Sequence, residues 1–294
     1  MITEELTEYQ NGNTLVTIFN CDGTKIRITP ENIKPMPEFP ETIDLKITNK
    51  CDLNCEYCHE QSVSNGKHAD LDYIAENLSF LPEGIELAIG GGNPLEHPKL
   101  IKFLNWCKNI HRFIPNLTIN GNHVSQIPIE IFKKELIYGL GISYIGETEN
   151  LIKKYFNFKY PNCVSHLIIG VHNIDDVRRA LSLYGKILIL GYKKHGRGTT
   201  YTPKYYNDFI NNFYKFLQPH KINGVVSFDN LAIEQLQLKN YFSSQQWDEF
   251  YMGDDGTFSM YYNAVDNYYS SNSNNNNAKV KDTVPILEFF KGDY

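Results

Sequence analysis

Long apolar runs are missing from this 294-residue chain. Stretches such as KILILGY (186–192) fall far short of the ~20 residues that cross a bilayer. The first residues, MITEELTEYQNGN, contain no basic segment followed by an apolar one, so no export signal is read there and a cytoplasmic setting is expected. An excess of positive charge is also missing. The formal net charge of −6 supplies no electrostatic reason to expect a general nucleic-acid or membrane-surface binder. The basic stretch GYKKHGRG (191–198) is the best local exception. Cysteines are few and irregularly spaced, six in all, and no repeat of fixed period stands out. In a compartment that keeps thiols reduced, such cysteines read as ligands or core residues rather than as a disulfide set.

What is present is an alternation of strands and helices. TLVTIFNCDGTKIRI (14–28) alternates apolar and polar residues around Asp22-Gly23, a hairpin signal, with Cys21 at its tip. The proline-dotted TPENIKPMPEFPE (29–41) argues against helix or central strand and sets a boundary. Beyond it, strands are expected at 42–48, 84–90, 116–121, 140–146, 163–171 and 186–192, with a possible seventh at 224–230. Helices are expected near 71–78, 97–111, 128–138, 147–156 and 203–217, and Asn173 reads as the N-cap of another. This pattern predicts a parallel sheet covered by helices. The fold class expected is α/β, a partial (β/α)6-type TIM barrel with a small N-terminal β-hairpin and a C-terminal extension. The corresponding segments are 1–41, 42–230 and 231–294. The last holds a turn and short strand (253–265), a low-complexity Asn-rich linker (271–279) and a short helix (284–290).

Three cysteines fall within eight residues of TNKCDLNCEYCHE (48–60), in the loop that leaves the first barrel strand. Cys55 to His59 has the C-x-x-C-H spacing of covalent haem attachment, but neither an export signal nor a second axial ligand is indicated. Cys51, Cys55, Cys58 and His59 could form a Cys₃His zinc site. Against that, the ligand pair such sites usually draw from elsewhere in the chain is not evident, and His59 directly follows Cys58. Three thiolates could instead hold three irons of a [4Fe–4S] cube and leave the fourth iron open. The C-terminal rim of a βα barrel is where active sites are built, and this loop belongs to that rim.

The Cys51-x₃-Cys55-x-Tyr57-Cys58 pattern resembles the signature of the radical S-adenosylmethionine (SAM) superfamily, with Tyr57 at the aromatic position. Gly91, Gly92, Asn93 and Pro94 resemble that family's Gly-Gly-Glu-Pro turn, with Asn93 where Glu is usual. Thr118–Gly121, with Asn120, is similar to its third-strand ending. Ser143 falls where the fourth strand commonly supplies a polar contact, and IIGVH (168–172), with Gly170, resembles the strand-five edge. The resemblance spans roughly 42–200. It implies Cys51, Cys55 and Cys58 as ligands of a [4Fe–4S] cluster. It also implies SAM contacts at Tyr57, Gly91, Gly92, Asn93, Pro94, Asn120, Ser143, Gly170 and Arg197. The activity implied is reductive cleavage of SAM to a 5′-deoxyadenosyl radical, which abstracts hydrogen from a second substrate.

For that second substrate a peptide, protein side chain or small metabolite is favoured over a nucleotide or tRNA base, for which the basic loop is the only support. The electron donor implied is of the flavodoxin or ferredoxin kind. A non-catalytic iron–sulfur protein is the rival from another class. Arg197 or Lys193 is a candidate partner for a carboxylate of SAM or substrate. His166, His172, Asp229 and Asn230 are candidate lumen or rim residues, whereas Cys107 and Cys163 read as core.

Overall fold

The computed structural model describes residues 6–146, 162–217, 224–274 and 278–294. A three-stranded antiparallel sheet comes first: β1 (Leu6–Asn11), β2 (Thr14–Phe19) and β3 (Thr24–Ile28). The predicted hairpin is β2–β3, and β1 adds a third strand that the sequence reading did not include. The remaining strands are β4 (Thr42–Thr48), β5 (Glu86–Gly91), β6 (Ile114–Asn120), β7 (Gly139–Ser143), β8 (Cys163–Ile168), β9 (Lys186–Leu190), β10 (Val225–Phe228), β11 (Ser259–Asn263), β12 (Tyr268–Ser270) and β13 (Val280–Lys281). They form one sheet in the order β10-β9-β8-β7-β6-β5-β4-β11-β12-β13.

Strands β4 to β10 run parallel, each hydrogen-bonded to the next. The six expected barrel strands are β4–β9, and the seventh is β10. Strand β11, far along the chain, returns to pair parallel with β4 on the opposite edge. Among the described residues no ladder joins β10 to β11, so the barrel is partial. Side chains bridge that seam instead: Asn230 donates to the Gly253 carbonyl at 3.2 Å and to Asp255 at 2.7 Å.

Helices α1 (Leu71–Leu78), α2 (Leu100–Asn105), α3 (Ile129–Lys133), α4 (Ile174–Tyr184), α5 (Tyr206–Leu217), α6 (Asn230–Gln235), α7 (Ser244–Phe250) and α8 (Ile286–Lys291) accompany the strands. Their limits follow local chemistry. The Asn173 side chain accepts from the Asp176 amide, Asp176 reciprocates, and Gly185 ends α4 in the left-handed region at φ 68°. Helix α3 is shorter than the expected 128–138 because Glu135 turns left-handed at φ 50°. The helix expected near 147–156 lies outside the described residues.

Strand alternation separates two environments. On β4, Ile43, Leu45 and Ile47 point outward into a core shared with Leu71, Ile74, Phe103 and Leu104 of α1 and α2, while Asp44 and Lys46 face inward. Cys107 and Cys163 are buried in that core, as expected. The N-terminal sheet lies against the N-terminal ends of the barrel strands. Lys25 pairs with Glu86, and Arg27 holds the fully buried Glu41 through Nη2 at 2.8 Å. Lys186 reaches the Asp22 carbonyl at 2.6 Å. This sheet covers the end of the barrel opposite the cysteine loop. No described helix is long and apolar enough to cross a membrane.

Candidate active site

At the other end, β4 runs into the cysteine loop. The loop folds back on itself through backbone bonds, Cys51 N to the Val63 carbonyl at 2.9 Å and Cys58 N to the Cys55 carbonyl at 3.1 Å. Gly66 allows this, since a Cβ there would sit 2.0 Å from the Asn49 carbonyl oxygen. All three cysteines are half-buried and line one cavity of about 460 Å³ inside the partial barrel. Burial pushes the Cys51 and Cys55 thiols up, and the neighbouring sulfurs add to the effect. Such a set favours an electron-poor metal partner over free thiolates.

The Gly91-Gly92 turn sits where β5 meets this loop. Gly91 has φ 117°, and a Cβ on Gly92 would fall 2.2 Å from the Lys50 carbonyl oxygen. The close approach lets Gly92 N donate to the Thr48 carbonyl at 2.8 Å and Asn93 N to that of Lys50 at 2.7 Å. Both glycines line the cavity, as do Tyr57, Asn120 and Ser143. The Tyr57 ring packs edge-on against Tyr201 with centroids 5.8 Å apart.

Four of the predicted contacts are placed elsewhere. Asn93 is buried away from the cavity; its side chain accepts from Leu95 N and donates to Gln126, both at 3.2 Å. Its role here is to cap the short 3₁₀ turn that the buried Pro94 opens, an uncharged job that suits Asn. Gly170 packs under α5, where a Cβ would meet the Tyr206 backbone at 2.7 Å. Arg197, expected to meet a carboxylate, instead clamps the cysteine loop. Its Nε donates to the Cys55 carbonyl at 2.8 Å and its Nη1 to that of Ser62 at 3.0 Å.

The rest of the basic stretch serves the same contact. Arg197 N bonds the Cys58 carbonyl at 3.1 Å, and Gly196 lies where a Cβ would come within 2.5 Å of the His59 carbonyl. Lys193 reaches Ser273 at 2.7 Å and lines the cavity. The basic stretch, the best local candidate for a positive patch, thus places its Arg197 against the cysteine loop, while Lys194 remains exposed.

His59 is engaged away from the thiols. Its Nε2 lies 3.4 Å from Glu60 and 3.5 Å from Lys193, and the histidine whose donor atoms group with a cysteine is His123, not His59. Glu60 also bonds Lys46 at 2.5 Å and accepts from the Tyr261 hydroxyl at 3.0 Å. Burial alone would raise the Glu60 carboxyl, but His59 and Lys46 outweigh it and hold the group well below the usual carboxylate range. This network ties the loop exit to β4 and β11. Behind the first cysteine, the donor atoms of Cys51, Asp52 and His123 fall within 4.8 Å of one another, and His123 Nε2 pairs with Asp52 at 2.7 Å.

Of the remaining candidates, His166 lines the lumen, and burial lowers its pKa to about 4, so it is neutral. His172 does not face the lumen; its Nε2 meets the Tyr144 carbonyl at 3.0 Å. Asp229 caps α6, accepting from Ala232 N at 2.7 Å and Gly191 N at 2.9 Å. The lumen residue overlooked in the sequence is Asp44, whose carboxylate opens into the cavity. The charges of Asp44 and Lys46 at alternate positions of an otherwise apolar strand were the signal.

The donor set fits an iron–sulfur cluster. Three thiols line one cavity, His123 beside Cys51 is paired with Asp52, and the glycine turn beside them has no side chain to fill the space.

No protein-family model matches the chain. Curated relatives match parts of it. An uncharacterized protein of Methanocaldococcus jannaschii is 33% identical over 129 residues, 39% of this chain and 42% of that protein. The PqqA peptide cyclase of Gluconobacter oxydans is 24% identical over 119 residues, 39% of this chain and 33% of the cyclase. A probable GTP 3′,8-cyclase of Methanococcus maripaludis is 36% identical over 81 residues, 26% of this chain and 27% of that enzyme. The chain thus spans less than half the length of these relatives. Among solved structures, Streptococcus suis SuiB bound to the precursor peptide SuiA superposes with a TM-score of 0.63 at 12% identity, covering 99% of this chain and 88% of SuiB. That likeness establishes a shared fold.

Proposed function

We propose that the chain is a member of the radical SAM superfamily and that it uses SAM and a [4Fe–4S] cluster to modify a peptide by hydrogen-atom abstraction. The observation that carries the reading is the convergence of Cys51, Cys55 and Cys58 on one cavity beside the Gly91-Gly92 turn. When bound, the cluster and SAM supply reductive cleavage of the sulfonium C–S bond and a 5′-deoxyadenosyl radical. Cys51, Cys55 and Cys58 hold the cluster, and Arg197 keeps their loop closed. The Gly91-Gly92 backbone would hold SAM beside the cluster, and Tyr57, Asn120 and Ser143, which line the same cavity, would bound the space for it.

A peptide substrate is supported by the SuiB complex and the PqqA cyclase relative. The GTP cyclase relative favours a second reading, a nucleotide substrate. Against it, the cavity wall carries Asp44, Glu60, Asp229 and Asp255 but only Lys46 and Lys193, an unsuitable surface for a triphosphate. An electron donor of the flavodoxin or ferredoxin kind completes the scheme. The test is electron paramagnetic resonance of the anaerobically reconstituted, reduced chain. An open iron predicts a cluster signal that shifts when SAM is added; a signal indifferent to SAM overturns the reading.

A further inference from the structure

The acids of the cavity wall are not equivalent. Glu60 is bound to Lys46, Tyr261 and His59, Asp229 caps α6, and Asp255 is held by Asn230 and Asn272 at 2.7 and 2.6 Å. Asp44 differs. Among the described residues no hydrogen-bond donor meets its carboxylate, and no cation lies within 4.0 Å of it. It stands in the ladder between Tyr261 of β11 and Ala88 of β5. Ala88 is too small to fill the space beside it. Gly90, next on the same face, leaves further room, since the nearest atom to a Cβ there is 3.7 Å away.

Depth in the barrel matters too. Ala88 precedes Gly91 by three residues, which places Asp44 about 10 Å below the glycine turn along the strands. The cysteines and the turn belong to the rim, and Asp44 belongs to the lumen beneath it. Asp44 is exposed to the cavity rather than sealed in the core, so its unpaired carboxylate stands open to a positive group that enters the lumen.

We propose that Asp44 receives a cationic group of the second substrate, a lysine-like ammonium or an arginine-like guanidinium, and so selects a basic side chain for the lumen. The proposal rests on the radical SAM reading and narrows its substrate class to peptides or small molecules bearing such a cation. Asp44 acts here as a binding residue. The proximity of Lys193 tempers the carboxylate without neutralising it, because Lys193 is engaged with Ser273 and lies close to His59.

The full chain, reconstituted anaerobically and saturated with SAM, is titrated with Nα-acetyl-lysine methylamide, its arginine counterpart and the uncharged Nα-acetyl-norleucine methylamide. Binding is read by ligand-observed NMR. At least one cationic probe should bind about tenfold or more tightly than the norleucine probe, a difference of about 1.4 kcal/mol. Asp44→Asn should erase that preference and Asp44→Glu should retain part of it. Ala88→Leu, which fills the space beside the carboxylate, should weaken the favoured probe even in a chain where Asp44→Asn does not fold. A wild-type chain that does not discriminate overturns the proposal, and so does a preference that survives Asp44→Asn or Ala88→Leu. If Asp44→Asn weakens SAM binding in equilibrium dialysis and leaves the probe ratio intact, the carboxylate serves the cofactor and the proposal fails. Failure of the underlying reading is seen separately, as a cluster signal unmoved by SAM, and the same titration without SAM still reports on Asp44.

Discussion

Replacing Arg197 by Ala removes two charge-assisted hydrogen bonds that hold the cysteine loop from outside, to the carbonyls of Cys55 and Ser62. Hydrogen bonds from a charged donor contribute about 1.5–3 kcal/mol each. The Arg197 backbone bond to the Cys58 carbonyl survives the change, and water can reach the half-buried Cys55 carbonyl, so the combined loss should be nearer 3 kcal/mol than 6. Ser62 is buried, which makes its carbonyl the costlier one to leave unpaired. The loss should appear as local opening before global unfolding, because the clamp joins one loop to another rather than to the main core. Hydrogen exchange across residues 51–63 should therefore accelerate about 100-fold, the equivalent of about 3 kcal/mol. Iron and sulfide retained after anaerobic reconstitution should fall in parallel. Arg197→Lys, able to reach one carbonyl but not both, should lie between. If Arg197→Ala keeps full loop protection and full iron but loses SAM affinity, the guanidinium acts on a cofactor carboxylate and the clamp argument is wrong.

Further expectations follow from the same geometry. Gly92→Ala should lose the folded turn and the capacity to hold iron, since its Cβ would overlap the Lys50 carbonyl, while Gly90→Ala, with 3.7 Å of clearance, should fold normally; thermal denaturation and iron content separate the two. Arg27→Met should destabilise the chain in urea denaturation by leaving the fully buried Glu41 only the longer Lys25 contact at 3.7 Å. The loss should be smaller than the ~3–5 kcal/mol of a fully stranded charge, and adding Glu41→Gln should recover part of it. Asp44 is pushed up to about 6 by desolvation within the barrel, with Lys193 opposing and Glu60 and Asp229 reinforcing, although the side chain is exposed to the cavity and its solvent screens the effect. Its folded pKa lies above the unfolded value, so the ionised form is disfavoured in the fold. The penalty is absent below about pH 4 and complete above about pH 6. Asp44→Asn should therefore be more stable than wild type at pH 8, by about 1 kcal/mol after allowing for cavity water, and equal to it at pH 4. Equal stability at both pH values would count against a desolvated Asp44 carboxylate.

Much of this architecture is legible in the residues. Strand signals such as TIDLKIT and KILIL and the Asn173 cap are local features, and each led to the element found; the cysteine spacing led to a loop that brings three thiols to one cavity. Other features are not local. The return of β11 to the edge of β4 depends on packing between residues some 200 positions apart, as the Tyr261–Glu60 bond illustrates. The placement of Arg197 against the cysteine loop likewise joins segments distant in sequence, and a Gly-flanked basic stretch reads the same whether it binds carbonyls or phosphates. Gly170 matched a motif position yet is shaped by the approach of Tyr206. Asn93 shows the opposite case, in which a departure from the expected Glu is explained by the turn it caps.

The central claim is most directly tested by what the reconstituted chain does to SAM. With about four irons per chain, an anaerobic reaction with SAM and dithionite should yield 5′-deoxyadenosine. Cys55→Ala should yield none. A chain that carries its cluster and leaves SAM intact, or a Cys55→Ala variant that still forms 5′-deoxyadenosine, would contradict the account.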